Sequence, residues 1–188
     1  MIYSLEQLRQ AHSAGQRIKY LFFWGHTAKT ESEIDASCLS QWWPSRFTVE
    51  GIEYSCAEQY MMAEKARLFR DEEARRNILQ AKHPKQMKAF GREVRGFDDQ
   101  VWKKEAYGIV RRASEEKFRQ NRELWGFLSN TKNRVLVEAS PVDRIWGIGL
   151  DKQDPNIENP FKWRGTNLLG FALGEARDNL RKEEASNE

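Results

Sequence analysis

Few residues in this chain are suited to binding a metal or forming a disulfide. Cys38 and Cys56 are its only cysteines, too few for a disulfide framework or a zinc-binding thiol cluster. His12, His26 and His83 are scattered and lack the spacing of a metal site. The sequence also lacks the dinucleotide-binding and P-loop fingerprints. We therefore expect no bound metal and no cofactor.

The sequence also lacks a dominant charge sign and any long apolar run. Its 31 basic and 28 acidic residues give a formal net charge of +3. This is far from the concentrated positive field of proteins that bind nucleic acid regardless of sequence, although a small anionic ligand is compatible with it. No apolar run has the length of a signal peptide or a membrane span. We expect a cytoplasmic protein that makes no membrane contact.

Aromatic residues, in contrast, are abundant. The chain has seven tryptophans, ten phenylalanines and five tyrosines. Most aromatic side chains fill hydrophobic cores, but the flat face and polar edge of a tryptophan also suit the wall of a pocket for a base or a sugar. Composition alone does not separate these two uses.

The hydrophobic pattern predicts one mainly helical domain. Helical periodicity and helix-end signals mark the segments 3–15, 54–69, 71–81, 84–94, 98–121, 121–131 and 167–184. Strand signals are fewer, at 17–25, in a hairpin at 46–55 and at 134–140. We expect an α+β fold in which helices cover a small β-sheet, with a single domain at 1–188, its core at about 19–181 and a frayed tail at 182–188. The long loop 26–45 has no clear period and is a candidate for function.

The stretch YSCAEQYMMAEKARLF, residues 54–69, combines a helix start with two charged residues. Ser55 and Glu58 fit the S-x-x-E capping box, in which the glutamate side chain binds the serine amide. At 100° per residue, however, Lys65 lies only about 20° from Glu58 around the helix, and both share its apolar stripe. We therefore expect the pair to face the interior or a cleft, where it can act as a general acid or base and as an amine nucleophile.

Structural explanations for these two residues stay open. Capping of the helix would account for Glu58, and Lys65 could pack its stem on Phe69 while its amine reaches water. The expected solvated face of the helix is formed by Gln59, Glu64, Arg67 and Arg70.

Three further features are candidates for ligand binding. Trp102 lies on the core side of segment 98–121, where core packing is its simplest role. In VDRIWGIGL, residues 142–150, Asp143 either accepts hydrogen bonds from sugar hydroxyls or caps an ordinary glycine turn.

WRGTNLLG, residues 163–170, begins the last predicted helix. Free amides at a helix start, together with Arg164, favour a phosphate there. Thr166 or Asn167 is equally suited to being an ordinary N-cap.

Several of these motifs together resemble the YbiA/NADAR family. They are FFWGH, LSQWWPSRFTVEGIEYSCAEQYMMAEKA, VWKKEAYGIV, VDRIWGIGL and GTNLLG, which occur in the family's order within residues 19–181. The resemblance implies a YbiA-like fold and an N-glycosidase that hydrolyses a ribosyl C–N bond. One branch is associated with phosphoribosylamino-pyrimidine intermediates of riboflavin biosynthesis, a metabolite damage-control role. Other members remove ADP-ribose from modified guanine bases.

The motifs and the resemblance together give a set of candidate site residues. The expected catalytic residues are Glu58, Lys65 and Asp143. The expected substrate-binding residues are Phe23, Trp24, Gly25, Ser40, Trp102, Trp146, Gly147, Arg164 and Asn167. The implied partner is a phosphoribosyl or ADP-ribosyl small molecule, or ADP-ribosylated nucleic acid, and the sequence does not indicate the oligomeric state.

Two positions depart from the family's pattern. Gln41 and Trp42 follow Ser40 where the family often has Asn and Phe, and Gln59 stands where many members have His. These departures affect the expected base-recognition pocket.

A non-catalytic nucleotide or single-strand nucleic-acid binding module is the alternative from another class. Such a module would use Trp42, Trp43 and Trp163 as exposed stacking surfaces next to arginines. It predicts a steep salt dependence of binding and no release of a base.

Overall fold

A computed structural model describes residues 1–28, 30 and 33–187 of the chain. The helices of this part are α1 (Leu5–Ser13), α2 (Ala57–Leu68), α3 (Glu72–Gln80), α4 (Pro84–Arg92), α5 (Asp99–Gln120), α6 (Arg122–Asn130) and α7 (Leu168–Asn187). The strands are β1 (Tyr20–Phe23), β2 (Phe47–Val49), β3 (Ile52–Tyr54) and β4 (Val135–Glu138), and a short 3₁₀ helix spans Ala36–Leu39. None of the described helices combines the length and the apolar character that crossing a bilayer requires. The mainly helical α+β class is confirmed, and its strands form two separate two-stranded sheets.

The chain folds as two compact units. The terminal unit comprises Met1–Ser40 and Glu123–Glu188, and the central unit comprises Gln41–Arg122. The expectation of a single domain stays a prediction.

A parallel strand pair and the last helix organise the terminal unit. Tyr20 of β1 lies opposite Val135 of β4, and Phe23 lies opposite Glu138. Helix α7 packs against β4, and a side chain at Gly170 would collide with the carbonyl oxygen of Leu136. Glycine at this position therefore allows the close approach of helix and strand. The helix continues to Asn187, through most of the segment expected to fray.

The central unit is built around α2. The predicted hairpin is confirmed: β2 and β3 pair antiparallel, and Glu50 and Gly51 form its turn with φ values of 51° and 80°. Helix α2 packs against α3, α4 and α5, and nine of its 12 residues are buried. The expected solvated face is therefore wrong for Gln59 and Glu64. Both side chains are buried, because helices surround α2 on several sides.

Asp71 links the start of α3 to the segment before α5. Its Oδ1 accepts a hydrogen bond from the amide of Ala74 at 3.1 Å and another from the guanidinium of Arg95 at 2.8 Å. Its Oδ2 accepts one from the backbone amide of Arg95 at 2.9 Å. These bonds, above all those from the Arg95 side chain, hold the pKa of the Asp71 carboxyl well below its ordinary value.

Replacing Asp71 with asparagine should lower the Tm at neutral pH, because the bonds from Arg95 favour a charged carboxylate. Since the pKa is lower in the folded than in the unfolded chain, the stabilisation is complete above about pH 4 and is lost as the pH falls further. Thermal melts of the wild type and Asp71→Asn at about pH 7 and pH 3 test this, and the Tm difference should shrink at the lower pH.

Asp98→Asn is the matched control for this comparison. Asp98 also caps a helix, α5, through the amides of Gln100 and Val101, but it is exposed. Asparagine is an equally good cap, so the control should change the Tm far less. An Asp71→Asn effect of equal size at both pH values would contradict the role of the charge.

Candidate active site

Glu58 is buried in the first turn of α2. The residue is only 5% exposed, and its backbone amide donates a hydrogen bond to the carbonyl of Gln41 at 2.9 Å. The expectation that Glu58 faces inward is thus met by the geometry of α2, although its catalytic role stays a prediction.

The capping box predicted for this helix start is wrong. The N-cap of α2 is Cys56, and it has no side-chain capping bond. The backbone amide and the hydroxyl of Ser55 both donate to Oε1 of Gln59, at 2.8 and 3.0 Å. Gln59 therefore accepts the serine amide that the box assigned to Glu58. The Nε2 of Gln59 also donates to the carbonyl of Ile78 at 3.0 Å, which explains why this polar side chain is buried.

Lys65 lies in an aromatic environment near the end of α2. Its Nζ is 4.3 Å from the ring centroid of Phe97 and 5.5 Å from that of Trp102, and it donates to the carbonyl of Gly91 at 2.7 Å. Burial, reinforced by the charge of Arg92, lowers the pKa of the amine. The structure thus brings two of the predicted residues, Lys65 and Trp102, together.

The hydrogen bond to Gly91 also gives Lys65 a structural task. Gly91 belongs to the last turn of α4, where backbone carbonyls have no partner within the helix, so the lysine amine caps that helix end. Phe97 is a member of this cluster that sequence reasoning missed. Its signal was its place directly before Asp98, the N-cap of α5, where an apolar residue commonly packs back onto the fold.

Glu58 and Lys65 lie on one side of α2, two turns apart. Seven residues correspond to about 10 Å along a helix axis. The two side chains can therefore approach different parts of one ligand without needing to contact each other.

In the terminal unit, Asp143 organises the loop that follows β4. Its Oδ1 accepts hydrogen bonds from the amides of Ile145 and Trp146, both at 2.8 Å, and from that of Gly147 at 3.4 Å. Its own amide donates to the hydroxyl of Ser140 at 3.1 Å. The turn-capping alternative therefore describes this oxygen, and binding of a sugar hydroxyl through the carboxylate stays a prediction.

Asn167 is fully buried, with 0% exposure, and its side chain binds the edge of β4. Its Oδ1 accepts from the amide of Glu138 at 3.0 Å, and its Nδ2 donates to the carbonyl of Leu136 at 2.9 Å. The side-chain amide thus takes the position of a peptide group in a neighbouring strand. The residue has a φ of 55°, which asparagine tolerates better than most residues. The structure gives Asn167 a structural task, and its contact with the substrate stays a prediction.

The predicted anion site at the start of α7 is wrong in one respect. The amides of this region donate to carbonyls of the loop after β4: Thr166 to Arg144, Asn167 to Gly147, Leu168 to Ile145 and Leu169 to Trp146, at 3.1 to 3.2 Å. These amides are therefore occupied, and a phosphate cannot bind them without breaking the loop. The Arg164 side chain is exposed and stays a candidate.

The other predicted residues of the terminal unit lie at strand and helix ends. Phe23 is buried at the end of β1, whereas Trp24 is 52% exposed, and Gly25 has a φ of 84°. Because β1 and β4 are parallel, Trp24 and the loop after β4 both follow the carboxyl ends of the strands, at the same end of the sheet. Ser40 ends the 3₁₀ helix and donates its amide to Ser37.

Gly147 and Trp146 are the remaining predicted residues of the loop after β4. A Cβ built on Gly147 would lie 2.9 Å from the carbonyl oxygen of Glu138, so only glycine fits beside the strand. The Trp146 side chain is half-buried. Within loop 26–45, residues Lys29, Glu31 and Ser32 lie outside the described residues.

The stacking surface of the alternative binding module does not form as expected. Trp163 is 6% exposed, and its Nε1 donates to the carbonyl of Ile157 at 2.6 Å, so it is a core residue. Trp42 and Trp43 are half-buried. The prediction of three exposed tryptophans is therefore wrong, because Trp163 packs under its own loop.

The described part of the chain offers no evident set of metal ligands. Among these residues no group of three or more His, Cys, Asp or Glu side chains is arranged to hold an ion. Cys38 and Cys56 are buried free thiols. Burial raises the pKa of the Cys56 thiol, which disfavours the thiolate form that binds metals.

Comparisons with known proteins agree with this architecture. The NADAR domain profile matches residues 22–181. An N-glycosidase of Acanthamoeba polyphaga mimivirus is 40% identical over 165 residues, which cover 85% of this chain and 95% of the viral protein. A riboflavin biosynthesis protein of Vibrio vulnificus is 28% identical over 152 residues, which cover 81% of this chain and 38% of that protein.

The N-glycosidase YbiA of Escherichia coli is similar in both sequence and fold. It is 30% identical over 141 residues, which cover 75% of this chain and 78% of YbiA. The NMR structure of YbiA matches with a TM-score of 0.69 over 90% of each chain, at 24% identity in that alignment. The structural match concerns the fold alone.

Replacing Asn167 with alanine should lower the free energy of unfolding by about 3 kcal/mol. The substitution leaves the carbonyl of Leu136 and the amide of Glu138 without their partner, at about 1–3 kcal/mol for each buried group. Asn167→Gly should be destabilised almost as much, because glycine tolerates the positive φ but supplies no amide. Urea unfolding of both variants measures the effect.

Lys132→Asn is the control for backbone strain. Lys132 has the same φ of 55° but is exposed, so this variant measures what asparagine gains over another residue with a Cβ in the left-handed region. If Asn167→Gly were as stable as the wild type, the side-chain amide would not be the stabilising feature.

Proposed function

Because the chain belongs to the NADAR family, we propose that it hydrolyses the ribosyl C–N bond of phosphoribosylamino-pyrimidine intermediates of riboflavin biosynthesis. At the coarser level it is a hydrolase acting on N-glycosyl bonds, the activity in the names of its viral and E. coli relatives. The name of the Vibrio relative supports the riboflavin substrate. The reaction would remove reactive intermediates, and the expected cytoplasmic location suits it.

The buried carboxylate of Glu58 carries this proposal. Cleavage of a ribosyl C–N bond passes through an oxocarbenium-like state and requires a proton for the leaving base. A carboxyl group inside a protein is suited to this task, because it can exchange a proton with a bound ligand away from bulk water. We assign Glu58 to proton transfer beside the anomeric carbon.

Lys65 has one of two roles in this mechanism. Its lowered pKa increases the fraction of neutral amine, the form that attacks C1′ of an opened sugar and forms a Schiff base. Alternatively the amine stays charged and orients Glu58 and the substrate while water attacks directly. Trp102, whose ring lies beside the amine, is assigned to the wall of the base or sugar pocket.

The substrate-binding roles proposed for residues of the terminal unit rest on the sequence motifs and the family resemblance. We assign Asp143 to ribose hydroxyls, Trp146 with Gly147 to the sugar or base, and Arg164 to the phosphate. Phe23, Trp24, Gly25 and Ser40 complete the proposed set, with the exposed Trp24 as its most accessible aromatic face.

Removal of ADP-ribose from modified guanine is the second candidate reaction. It breaks the same kind of bond and needs the same groups, so the chemistry alone does not rank the substrates. Incubation of the protein with phosphoribosylamino-pyrimidines or with ADP-ribosylated guanine DNA, followed by chromatography, distinguishes them. Free pyrimidine supports the proposed function, whereas release of ADP-ribose alone supports the second reaction. The absence of both products supports a binding module.

Glu58→Gln should lower kcat/KM by about a thousandfold, within the range that a general acid or base contributes. Glutamine has nearly the same shape, so the Tm should change little. Free base measured by chromatography gives the rate, and circular dichroism gives the Tm. An active Glu58→Gln enzyme would refute the assignment.

Glu64→Gln is the matched control on the same helix. Glu64 is also a buried carboxylate of α2, but it accepts hydrogen bonds from Arg67 at 2.8 and 3.0 Å. This variant should keep its turnover while losing stability. Equal loss of activity in both variants would indicate general damage to α2.

If Lys65 is the nucleophile, borohydride trapping should yield a reduced sugar adduct on the peptide that contains it, detected by mass spectrometry. Lys65→Arg keeps the charge and can still donate to Gly91, but it cannot form a Schiff base, so turnover should then be lost as well. The peptide containing Lys88, whose amine lies 6.0 Å from the Trp42 ring, should stay unmodified. An unmodified Lys65 together with an active arginine variant would assign the attack to water.

A further inference from the structure

Two arginines lie side by side in the terminal unit, and sequence reasoning singled out only one of them. Arg144 belongs to the loop after β4, and Arg164 to the segment before α7. The Arg164 amide donates to the carbonyl of Ile148 at 2.9 Å, and the Thr166 amide donates to that of Arg144 at 3.1 Å. Together with the amides at the start of α7, these bonds connect the two segments at several points.

Two glycines permit this close arrangement. A Cβ built on Gly149, whose φ is 66°, would lie 2.9 Å from the Cβ of Arg164 and 3.2 Å from the Cγ of Arg144. The Cβ of Arg164 and the Cγ of Arg144 therefore both lie next to Gly149. A Cβ on Gly165 would lie 2.7 Å from the Cα of Arg144, so a side chain at either position would push the segments apart.

The electrostatics of the pair call for an anion. Both arginine residues are exposed, and within the described part of the chain neither guanidinium forms an ion pair with a carboxylate. The nearest acid in sequence, Asp143, uses its Oδ1 to bind three amides of its own loop. Two positive side chains that start from neighbouring, hydrogen-bonded segments raise the local positive potential, and a bound anion offsets it.

We propose that Arg144 and Arg164, the arginine pair, bind the phosphate group of the substrate. Each guanidinium can donate two parallel hydrogen bonds to phosphate oxygens. The amides at the start of α7 are occupied, so side chains must supply the donors, while the positive end of the helix dipole adds to the attraction. The inference rests on the proposed function for the identity of the substrate, but phosphate binding can be measured without turnover.

Calorimetric titration with ribose 5-phosphate, and with ribose as the unphosphorylated reference, tests the pair directly. The wild type should bind ribose 5-phosphate and show far weaker binding of ribose. Arg144→Gln and Arg164→Gln should each weaken binding of ribose 5-phosphate at least tenfold. The double variant should lose less than the product of the two effects, because both side chains act on one phosphate.

Arg17→Gln is the control for net charge. Arg17 is an exposed arginine of the same unit, and its replacement removes the same charge without touching the pair. Affinity for ribose 5-phosphate should be unchanged in this variant. If Arg144→Gln binds as the wild type does, or Arg17→Gln weakens binding equally, the inference is overturned. Arg144→Lys, which keeps the charge but not the fork of donors, should retain partial affinity and separates binding from folding.

Turnover assays separate this inference from the proposed function. With the phosphorylated pyrimidine substrate, Arg144→Gln should raise KM and leave kcat nearly unchanged. With the dephosphorylated substrate, the wild type and Arg144→Gln should have the same turnover. If the wild type cleaves the pyrimidine substrate but KM is the same in Arg144→Gln, the pair is refuted and the function stands. If ribose 5-phosphate binding depends on Arg144 but no pyrimidine is released, the pair stands and the function falls.

ADP-ribose as a further ligand distinguishes the two phosphate sources. Tighter binding of ADP-ribose than of ribose 5-phosphate, lost in the same variants, would support the pair and point to a diphosphate. The reverse order would support the pair as a monoester site. Binding of either ligand that is independent of both arginines would overturn the inference.

Discussion

The side-chain amide of Asn167 is the interaction on which the terminal unit depends. It satisfies one carbonyl and one amide on the edge of β4, while its backbone amide binds the loop after that strand. Strand, loop and α7 therefore meet at one buried residue. Asp143 then sets the turn of this loop from its other side. Trp146 and Arg144 belong to the loop that these two polar anchors bind.

The central unit is arranged on a different principle, because its polar groups lie inside a packed helix. Helix α2 has almost no solvated face, so each polar side chain on it needs a specific partner or a function. Gln59 binds the chain before the helix and the end of α3, and Glu64 binds Arg67. Lys65 donates to the carbonyl of Gly91, and the proposed function assigns the chemistry to Glu58 and Lys65.

Local patterns in the sequence predicted the elements well, and contacts between distant segments explain most errors. The hairpin at Glu50 and Gly51 follows from adjacent residues, and it was predicted correctly. The capping box failed because Gln59, one residue beyond Glu58, makes the bond. The role of Asn167 depends on a strand about thirty residues earlier, and no periodicity reveals such a bond. Arg144 carries no comparable sequence signal, because only the folded loop brings it next to Arg164.

Lys65 binds the carbonyl of Gly91 and is also the proposed nucleophile, which affects the stability of any covalent intermediate. Its amine holds the last turn of α4 through the carbonyl of Gly91, and an amine bound to a sugar carbon has fewer protons to offer that carbonyl. Chemistry at the lysine and closure of the helix end are then competing states of one nitrogen. A covalent bond at Lys65 would thus weaken the hydrogen bond that closes the end of α4. Release of the sugar would restore that bond, so the folded structure favours release.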